Sequence, residues 1–458
     1  MSGVVPSNRD SFGSKFGVIA AAAGSAVGLG NIWRFPLVTA QNGGGAFLLI
    51  YVCFIIFIGI PVMLSEFSIG RKAQLNAFGS FKKLAPGTPW FMVGFLGILT
   101  AFAILAFYST VAGWTLEYLI QSLSGKLLHA DNMEQNFAGF STNVYRPLIW
   151  QMVFMLLTAI VVFAGIQKGI EKFTKVLMPV LVMLILLVVI RSVTLKGAGE
   201  GLRYLFVPNW EAVTFKTVLM ALGQAAFSLS IGMGTLITYG SYIQKKNNLL
   251  GTSSQVAFAD TAIAILSSLM VIPAIFAFST TDLSEMSPGP GLVFEVLPNV
   301  FKAMPGGMIF AVVFFFLLAV AALTSTISVL EVVVAYLKEE LKMSRGKATL
   351  IGAVSISILG VFATLSFSSM SNFTILGQTV FGLLNYASAN IMLTFGALLI
   401  VIFVGWKMGK SDFIKEISNQ GTLKSKLFKA VFFIIRYIAP VAIGIIAVAA
   451  FFIQGLTG

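Results

Sequence analysis

Four carboxylates stand inside stretches of the sequence that are otherwise apolar: Glu66, Glu117, Asp260 and Glu331. A charge at membrane depth is costly, so such a side chain faces a cavity, a partner or a bound ion rather than lipid. Asp260 is the most pointed of the four, because it could give one negative charge to a cation; the other reading is a carboxyl held by hydrogen bonds for structure alone. For Glu66, Glu117 and Glu331 the structural role is the better reading. Hydroxyls gather at Thr324, Ser325 and Thr326, beside the small residues Ala319, Ala321 and Ala322 that let backbones approach. The run GSAVGLGNIWRFP, Gly24 to Pro36, carries glycines at 24, 28 and 30 and a buried-type amide at Asn31. Each such glycine costs a helix about 1 kcal/mol relative to alanine. Either the helix is broken at mid-membrane, freeing carbonyls toward a bound ion or solute, or Gly24 and Gly28 form a GxxxG packing pair. Freed carbonyls together with hydroxyls make a set of hard oxygen ligands, which suits Na⁺ better than a soft metal.

The elements that must hold these groups follow from composition. Of 458 residues, 57% are hydrophobic and only 10% charged, and mean hydropathy is +0.94. That is a polytopic membrane protein. Met1 to Ser14 is polar and the first apolar run is too long for a signal-peptide core, so no cleavable signal is expected. A single cysteine, Cys53, excludes an intramolecular disulfide, and a single histidine, His129, argues against a histidine-rich metal site. No nucleophile, base and orienter cluster occurs, and GxGxN in the first span follows a membrane helix rather than a strand, so it is not a dinucleotide fingerprint. An enzyme is not expected. The net charge of +13 fits anionic lipid rather than nucleic acid.

Apolar runs bounded by charge, Pro or Gly give eleven spans, near 16–40, 45–70, 90–124, 147–166, 173–194, 216–243, 254–279, 307–337, 348–367, 373–406 and 430–455. With the N-terminus in the cytoplasm, 22 of the 30 basic residues fall on the inner side and seven on the outer. The expected location is the cell inner (plasma) membrane, multi-pass, N-terminus inside. The sixth span, FSLSIGMG at 227–234, repeats the glycine-and-hydroxyl interruption of the first with Gly232 and Gly234. Two interrupted spans five apart cross in opposite directions, as in an inverted repeat of five plus five helices with an eleventh appended, and this favours the broken helix over packing alone. The fold class expected is therefore all-α. It divides into 1–15, an N-terminal gate segment; 16–194, the first repeat; 195–406, the second; and 407–458, a cytoplasmic loop plus the eleventh helix. The outer stretch Thr280 to Gly306, with four prolines around LVFEVL, reads as a lid with a short helix dipping toward the pathway.

Taken together, GSAVGLGNIWRFP, NGGGAF at 42–47, GQAAFSLSIGMG at 223–234 and LTST at 323–326 resemble the neurotransmitter:sodium symporter family over spans one to ten. The resemblance implies two sodium sites. The first would use the Ala26 carbonyl, Asn31, Ser228 and, if a one-residue shift is allowed, Asp260, together with the substrate carboxylate. The second would use carbonyls of Gly24, Val27 and Ala321 with the hydroxyls of Thr324 and Ser325. Amine-transporting members carry Asp where this chain has Gly28, so the substrate is expected to bring its own carboxylate. It would meet the amides of Leu29 and Gly30 and the Tyr108 hydroxyl, with its amino group near Ala26, Phe227 and Ser230. Its side chain would lie among Ile104, Tyr108, Phe227, Met233, Ser325 and Val329, where the flexible Met233 helps the pocket repack around different sizes.

The gates transfer less evenly. Arg34 and Gln224 match an outer gate, but its usual acid aligns here with Asn372. Inside, Arg9 and Phe12 correspond to an arginine and tryptophan that pin the N-terminus, with Tyr242 and Glu339 as expected partners. Gly169 and Pro179 resemble a fifth-helix pair that permits local unwinding; an ordinary tolerated helix proline is the alternative. The expected activity is sodium-coupled uptake of neutral hydrophobic amino acids by alternating access, without a chloride requirement if the charge of Asp260 replaces that anion. A non-transporting amino-acid sensor on the same fold is the alternative.

Overall fold

The computed structural model describes residues 10–278 and 291–450, and Arg9 and the first part of the expected lid lie outside them. Among the described residues nine helices are long and apolar enough to cross a membrane, or ten when a bent pair is counted as one span. The bent pair is α1 (Lys15–Ala26) and α2 (Gly30–Gln41), which meet at 58°. The chain continues as α3 (Gly45–Ala73), α4 (Phe91–Leu123), α5 (Arg146–Phe163) and α6 (Ile166–Val193). Next come two short helices, α7 (Phe215–Ser228) and α8 (Thr235–Ser241), separated by the non-helical residues 229–234. Then follow α9 (Leu249–Phe278), the lid helix α10 (Leu297–Ala303), α11 (Gly307–Glu340), α12 (Arg345–Leu365), α13 (Val380–Ile417) and α14 (Leu427–Ala449). A two-stranded hairpin, Thr374–Ile375 against Gln378–Thr379, joins α12 to α13.

Both breaks fall where the glycines stand. At the second, Gly232 has φ +95° and Gly234 φ +75°, a region that favours glycine. A Cβ on Gly232 would lie 2.1 Å from the Leu393 carbonyl oxygen, so α13 packs directly on the broken backbone. Ser230 holds φ +53° without that freedom, and its hydroxyl donates to the Ser25 carbonyl at 3.0 Å, tying one break to the other. Gly24 also serves the packing reading, since a Cβ there would stand 3.2 Å from Thr324 Cβ. The first break is therefore both an interruption and a close approach.

The turn that leads into α10, Leu292–Val296, sits in an aromatic nest. Phe294 is fully buried, stacks on Phe137 at 5.6 Å and 6°, and meets Tyr118, Trp114 and Trp33 edge-on at 4.8, 5.7 and 6.3 Å. Next to it Glu295 is pushed above the ordinary carboxylate range, first by burial and then by the nearby charge of Glu134.

At the opposite end of the bundle α13 turns at Gly409 (φ +79°) and runs to Ile417, where Phe413, Glu416 and Ile417 are buried. Glu416 accepts from Arg71 Nε at 2.6 Å, and the same guanidinium donates to the backbone carbonyls of Asn247 and Glu416. Both side chains are nearly inaccessible, and Lys245 approaches the carboxylate at 3.3 Å. A buried pair of this kind destabilises strongly when one partner is removed, because the other is left charged and alone. Arg71→Gln should lower stability by about 3–5 kcal/mol, read as a lower thermal midpoint in detergent. Arg71→Met with Glu416→Leu should recover most of the loss, and an unchanged midpoint in the single variant would show the clamp carries no stability.

Candidate functional site

A chamber of about 650 Å³ opens at the end opposite the N-terminal segment and reaches down to both helix breaks. Its floor is Ser25, Ala26, Gly28, Leu29, Gly30, Asn31, Ser228 and Ser230; its walls include Ile104, Tyr108, Phe227, Met233, Ser325 and Val329. Every residue expected to bind substrate therefore lines one continuous space. Gly28 is at its centre: a Cβ there would stand 2.7 Å from Ser325 Oγ and 3.0 Å from Tyr108 OH. A Cβ on Gly30 would press on the Phe227 ring at 2.8 Å. Tyr108 OH accepts from the Leu29 amide at 3.1 Å, at the start of α2, where unpaired N–H groups favour an anion.

Below the chamber floor the carboxylate of Asp260 is fully buried. It accepts from Asn31 Nδ2 at 2.7 Å and from Ser228 Oγ at 2.7 Å, and Tyr51 OH stands 3.4 Å away. Asn31 Oδ1 turns back to accept the Gly28 amide at 3.2 Å, and Nδ2 also donates to Ser228 Oγ at 3.0 Å. Among the described residues no lysine or arginine pairs with Asp260. A carboxylate buried among neutral donors lacks most of the compensation that burial of a charge requires, so the pocket suits a cation. The geometry joins α1–α2, α3, α7 and α9 at one point, with Asp260 of the seventh span against Asn31 of the first.

A second group of oxygens lies between α1 and α11. Ser325 Oγ donates to the Val27 carbonyl at 2.9 Å and to the Gly24 carbonyl at 3.3 Å, and Thr324 Oγ1 donates to the Ala321 carbonyl at 2.9 Å. These are the five residues expected to form the second ion site. They are all buried, and their donors are hydroxyls and carbonyls only. Among the described residues no cluster of three or more His, Cys, Asp or Glu that could hold a metal ion occurs.

Above the chamber Arg34 hydrogen-bonds Gln224 Oε1, and its guanidinium carbon lies 5.1 Å from the Phe227 ring centre. Asn372, expected in the position of the gate's acid, does not line the chamber that Arg34 lines. Asn372 is exposed on the loop before the hairpin, whereas Asn385, one turn into α13, lines the same chamber as Arg34. The hairpin lies between the two asparagines, ahead of the start of α13.

Below the breaks Phe12 is packed into the bundle. Its ring is buried against Tyr239 (5.6 Å) and Tyr242 (6.1 Å), and its N–H donates to the Tyr242 carbonyl. Tyr242 OH donates to Glu331 at 2.8 Å, and Glu331 pairs with Arg345 at 2.6 Å. Glu331 thus links Tyr242, and through it the packing around Phe12, to Arg345, contacts that its sequence position does not disclose. Glu339 accepts from the Asn76 amide and side chain at 2.7 and 3.0 Å. Glu171, in α6, accepts from Gly13 N and Ser14 Oγ at 2.7 and 2.9 Å, joining the N-terminal segment to the fifth span. That span is helical through both Gly169 and Pro179.

Two further residues take on roles that the sequence does not specify. The structural role expected of Glu66 becomes a definite one: its Oε1 accepts the Gly232 amide at 2.7 Å, closing a donor left open by the α7–α8 break. Tyr51 adds its hydroxyl to Asp260 and Ser228. The only signal for Glu66 is its intramembrane charge; nothing in the sequence signals Tyr51.

Comparison with known proteins identifies the family. The model of the sodium:neurotransmitter symporter family matches residues 9–144 and 132–456. An uncharacterised sodium-dependent transporter of Bacillus subtilis is 38% identical over 435 residues, 94% of this chain and 96% of its own length. One from Haemophilus influenzae is 36% identical over 457 residues, 97% and 98% of the two chains. The crystal structure of MhsT in complex with L-phenylalanine superposes with a TM-score of 0.88 at 44% identity, covering 97% of this chain and 100% of that one. A multi-pass helical chain with an oxygen-lined break in its first span, matched over residues 9–144 and 132–456 by the family model, belongs to the sodium:neurotransmitter symporter family.

Proposed function

We propose that this chain is a symporter that imports neutral hydrophobic L-amino acids, aliphatic and aromatic, with two sodium ions, by alternating access. The observation that carries the reading is the stack at Gly28: an anion-favouring helix start above, no side chain on Gly28 itself, and below it the Asn31 amide bridging to the buried Asp260 carboxylate, with which no lysine or arginine pairs among the described residues. The substrate's carboxylate meets the amides of Leu29 and Gly30 and the Tyr108 hydroxyl. Its amino group meets carbonyls around Ala26, Phe227 and Ser230. Sodium is co-substrate, held at the first site by Ala26, Asn31, Ser228 and Asp260 and at the second by Gly24, Val27, Ala321, Thr324 and Ser325. The negative charge of Asp260 makes chloride unnecessary.

In this reading α7 and α8 form one interrupted span, giving eleven spans in a five-plus-five inverted repeat with the eleventh helix appended. The N-terminus faces the cytoplasm of a bacterial-type inner membrane. The chamber then opens outward, and the closure at Phe12, Tyr242 and Glu331 is the inner gate that must release. Gly169 and Pro179 mark the weak point of the fifth span that loosens with it. Binding of sodium draws the two breaks together, substrate completes the first site, and the bundle rocks inward.

The test is counterflow of radiolabelled amino acids in proteoliposomes, with and without a sodium gradient. Leucine, phenylalanine or tryptophan should exchange only when sodium is present, and lysine and glutamate should compete poorly. A preference for lysine or glutamate would overturn the substrate class. Sodium-dependent binding with no exchange would make the chain a sensor.

A further inference from the structure

We propose that Arg436, Trp406 and Tyr437 form a site for the phosphate of an anionic lipid in the leaflet on the N-terminal side of the bundle. Arg436 lies within the apolar helix α14, 23 residues long, and nine residues from its start. Its guanidinium carbon is 5.7 Å from the Trp406 ring centre and 5.5 Å from that of Tyr437, and the two rings meet edge-on at 6.4 Å. Gly405 permits the arrangement, since a Cβ there would stand 3.1 Å from Arg436 Cα.

This arginine lacks the partner that its depth requires. Its Nε is buried with no hydrogen bond, and among the described residues no carboxylate pairs with it. The acids on the adjoining segment are already engaged, Asp412 by Lys72 and Glu416 by Arg71 and Lys245. An arginine on a spanning helix needs an anion or a route to the interface. Cation–π contacts orient the guanidinium but do not neutralise it.

The surroundings identify the anion. Trp406 and Tyr437 are each about half exposed on the outer wall of the bundle, and such rings settle at the headgroup level of a bilayer. Lys407 follows Trp406 directly and Lys410 comes one turn later, and Lys429 precedes Arg436 by seven residues, two turns along the same helix face; all three lysines are exposed. The planar fork of arginine matches two phosphate oxygens, and lysines nearby add point charge. A phosphodiester headgroup would meet this basic patch while its acyl chains lie against the exposed apolar residues of α14, among them Phe433, Ile438 and Val441.

Native mass spectrometry of the full-length protein with equimolar phosphatidylglycerol and phosphatidylcholine tests the site. The unaltered protein should retain phosphatidylglycerol preferentially, and Arg436→Gln should weaken that retention about fivefold, as expected for one basic residue at the surface. Lys424→Gln with Lys426→Gln, elsewhere on the same basic face, should change it less than about twofold. Quenching by brominated lipid, taken as the difference between the unaltered protein and Trp406→Phe, needs no arginine variant and should be stronger with brominated phosphatidylglycerol than with brominated phosphatidylcholine. Equal retention of the two lipids, an Arg436→Gln variant that binds as well as the unaltered protein, or displacement of phosphatidylglycerol by millimolar inorganic phosphate would each overturn the proposal, the last assigning the site to a soluble anion.

Discussion

Asp260→Ser should reduce sodium-driven amino-acid uptake about 100-fold, and added chloride should restore part of it. The carboxylate is buried, accepts hydrogen bonds from Asn31 and Ser228, and has no cationic side chain beside it among the described residues. Two unit charges 4 Å apart interact by about 4 kcal/mol at an effective dielectric of 20. Allowing for the water or anion that fills the vacated space, a loss of about 3 kcal/mol corresponds to roughly 100-fold in affinity. Serine leaves room and hydroxyl donors for an anion against Tyr51 and Ser228, so chloride can supply the missing charge. Uptake measured across a chloride series at fixed sodium decides it. A serine variant indifferent to chloride, or an unaltered protein that depends strongly on it, would remove the case for charge replacement.

Gly28→Asp should abolish uptake of amino acids and allow an amine to bind in their place. The first added atom already meets Ser325 Oγ and Tyr108 OH, and the carboxylate beyond it occupies the space offered to the substrate's own. Two carboxylates at one anion site repel by about as much as opposite charges attract at the same distance. Phenylalanine uptake should therefore fall by at least about 100-fold, while phenethylamine, which lacks the carboxylate, should gain a measurable thermal shift of the variant in detergent. Gly28→Ala brings the same contact without the charge. Because the neighbours are hydroxyls that can turn aside, it should cost only about tenfold, the range of a modest overpacking. Normal phenylalanine transport by the aspartate variant would mean that the substrate carboxylate lies elsewhere.

Most of the architecture is legible in the sequence because lipid imposes it. Span positions follow from apolar runs, and most ends move by a few residues, but α6 starts at Ile166 rather than 173, and α13 runs from Val380 to Ile417 rather than 373–406, because the hairpin precedes it and the helix continues past Gly409. The two breaks are readable because glycine pairs recur at 28 and 30 and at 232 and 234, where a continuous helix gains nothing from them. What stays hidden is of one kind: buried polar partners far apart in the chain. Glu66 and Gly232 are 166 residues apart, and Arg71 and Glu416 are 345 apart. Each of these positions is only a polar residue in an otherwise apolar or amphipathic stretch, and periodicity does not show which distant group it meets. Asn372 and Asn385 show the other limit. A short hairpin lies between them, and only the placement of α13 in the folded chain shows that Asn385 lines the chamber.

Ser325 joins the oxygen cluster between α1 and α11 to the chamber. Its hydroxyl donates to the Val27 and Gly24 carbonyls, and the same oxygen is the nearest neighbour of the space above Gly28. A ligand bound among those carbonyls and a ligand bound over Gly28 therefore act on one shared rotor. Thermodynamic linkage then makes their influence mutual: the factor by which the ion tightens the solute must equal the factor by which the solute tightens the ion. Measured from either side, that ratio is a single number, and one hydroxyl is placed to set it.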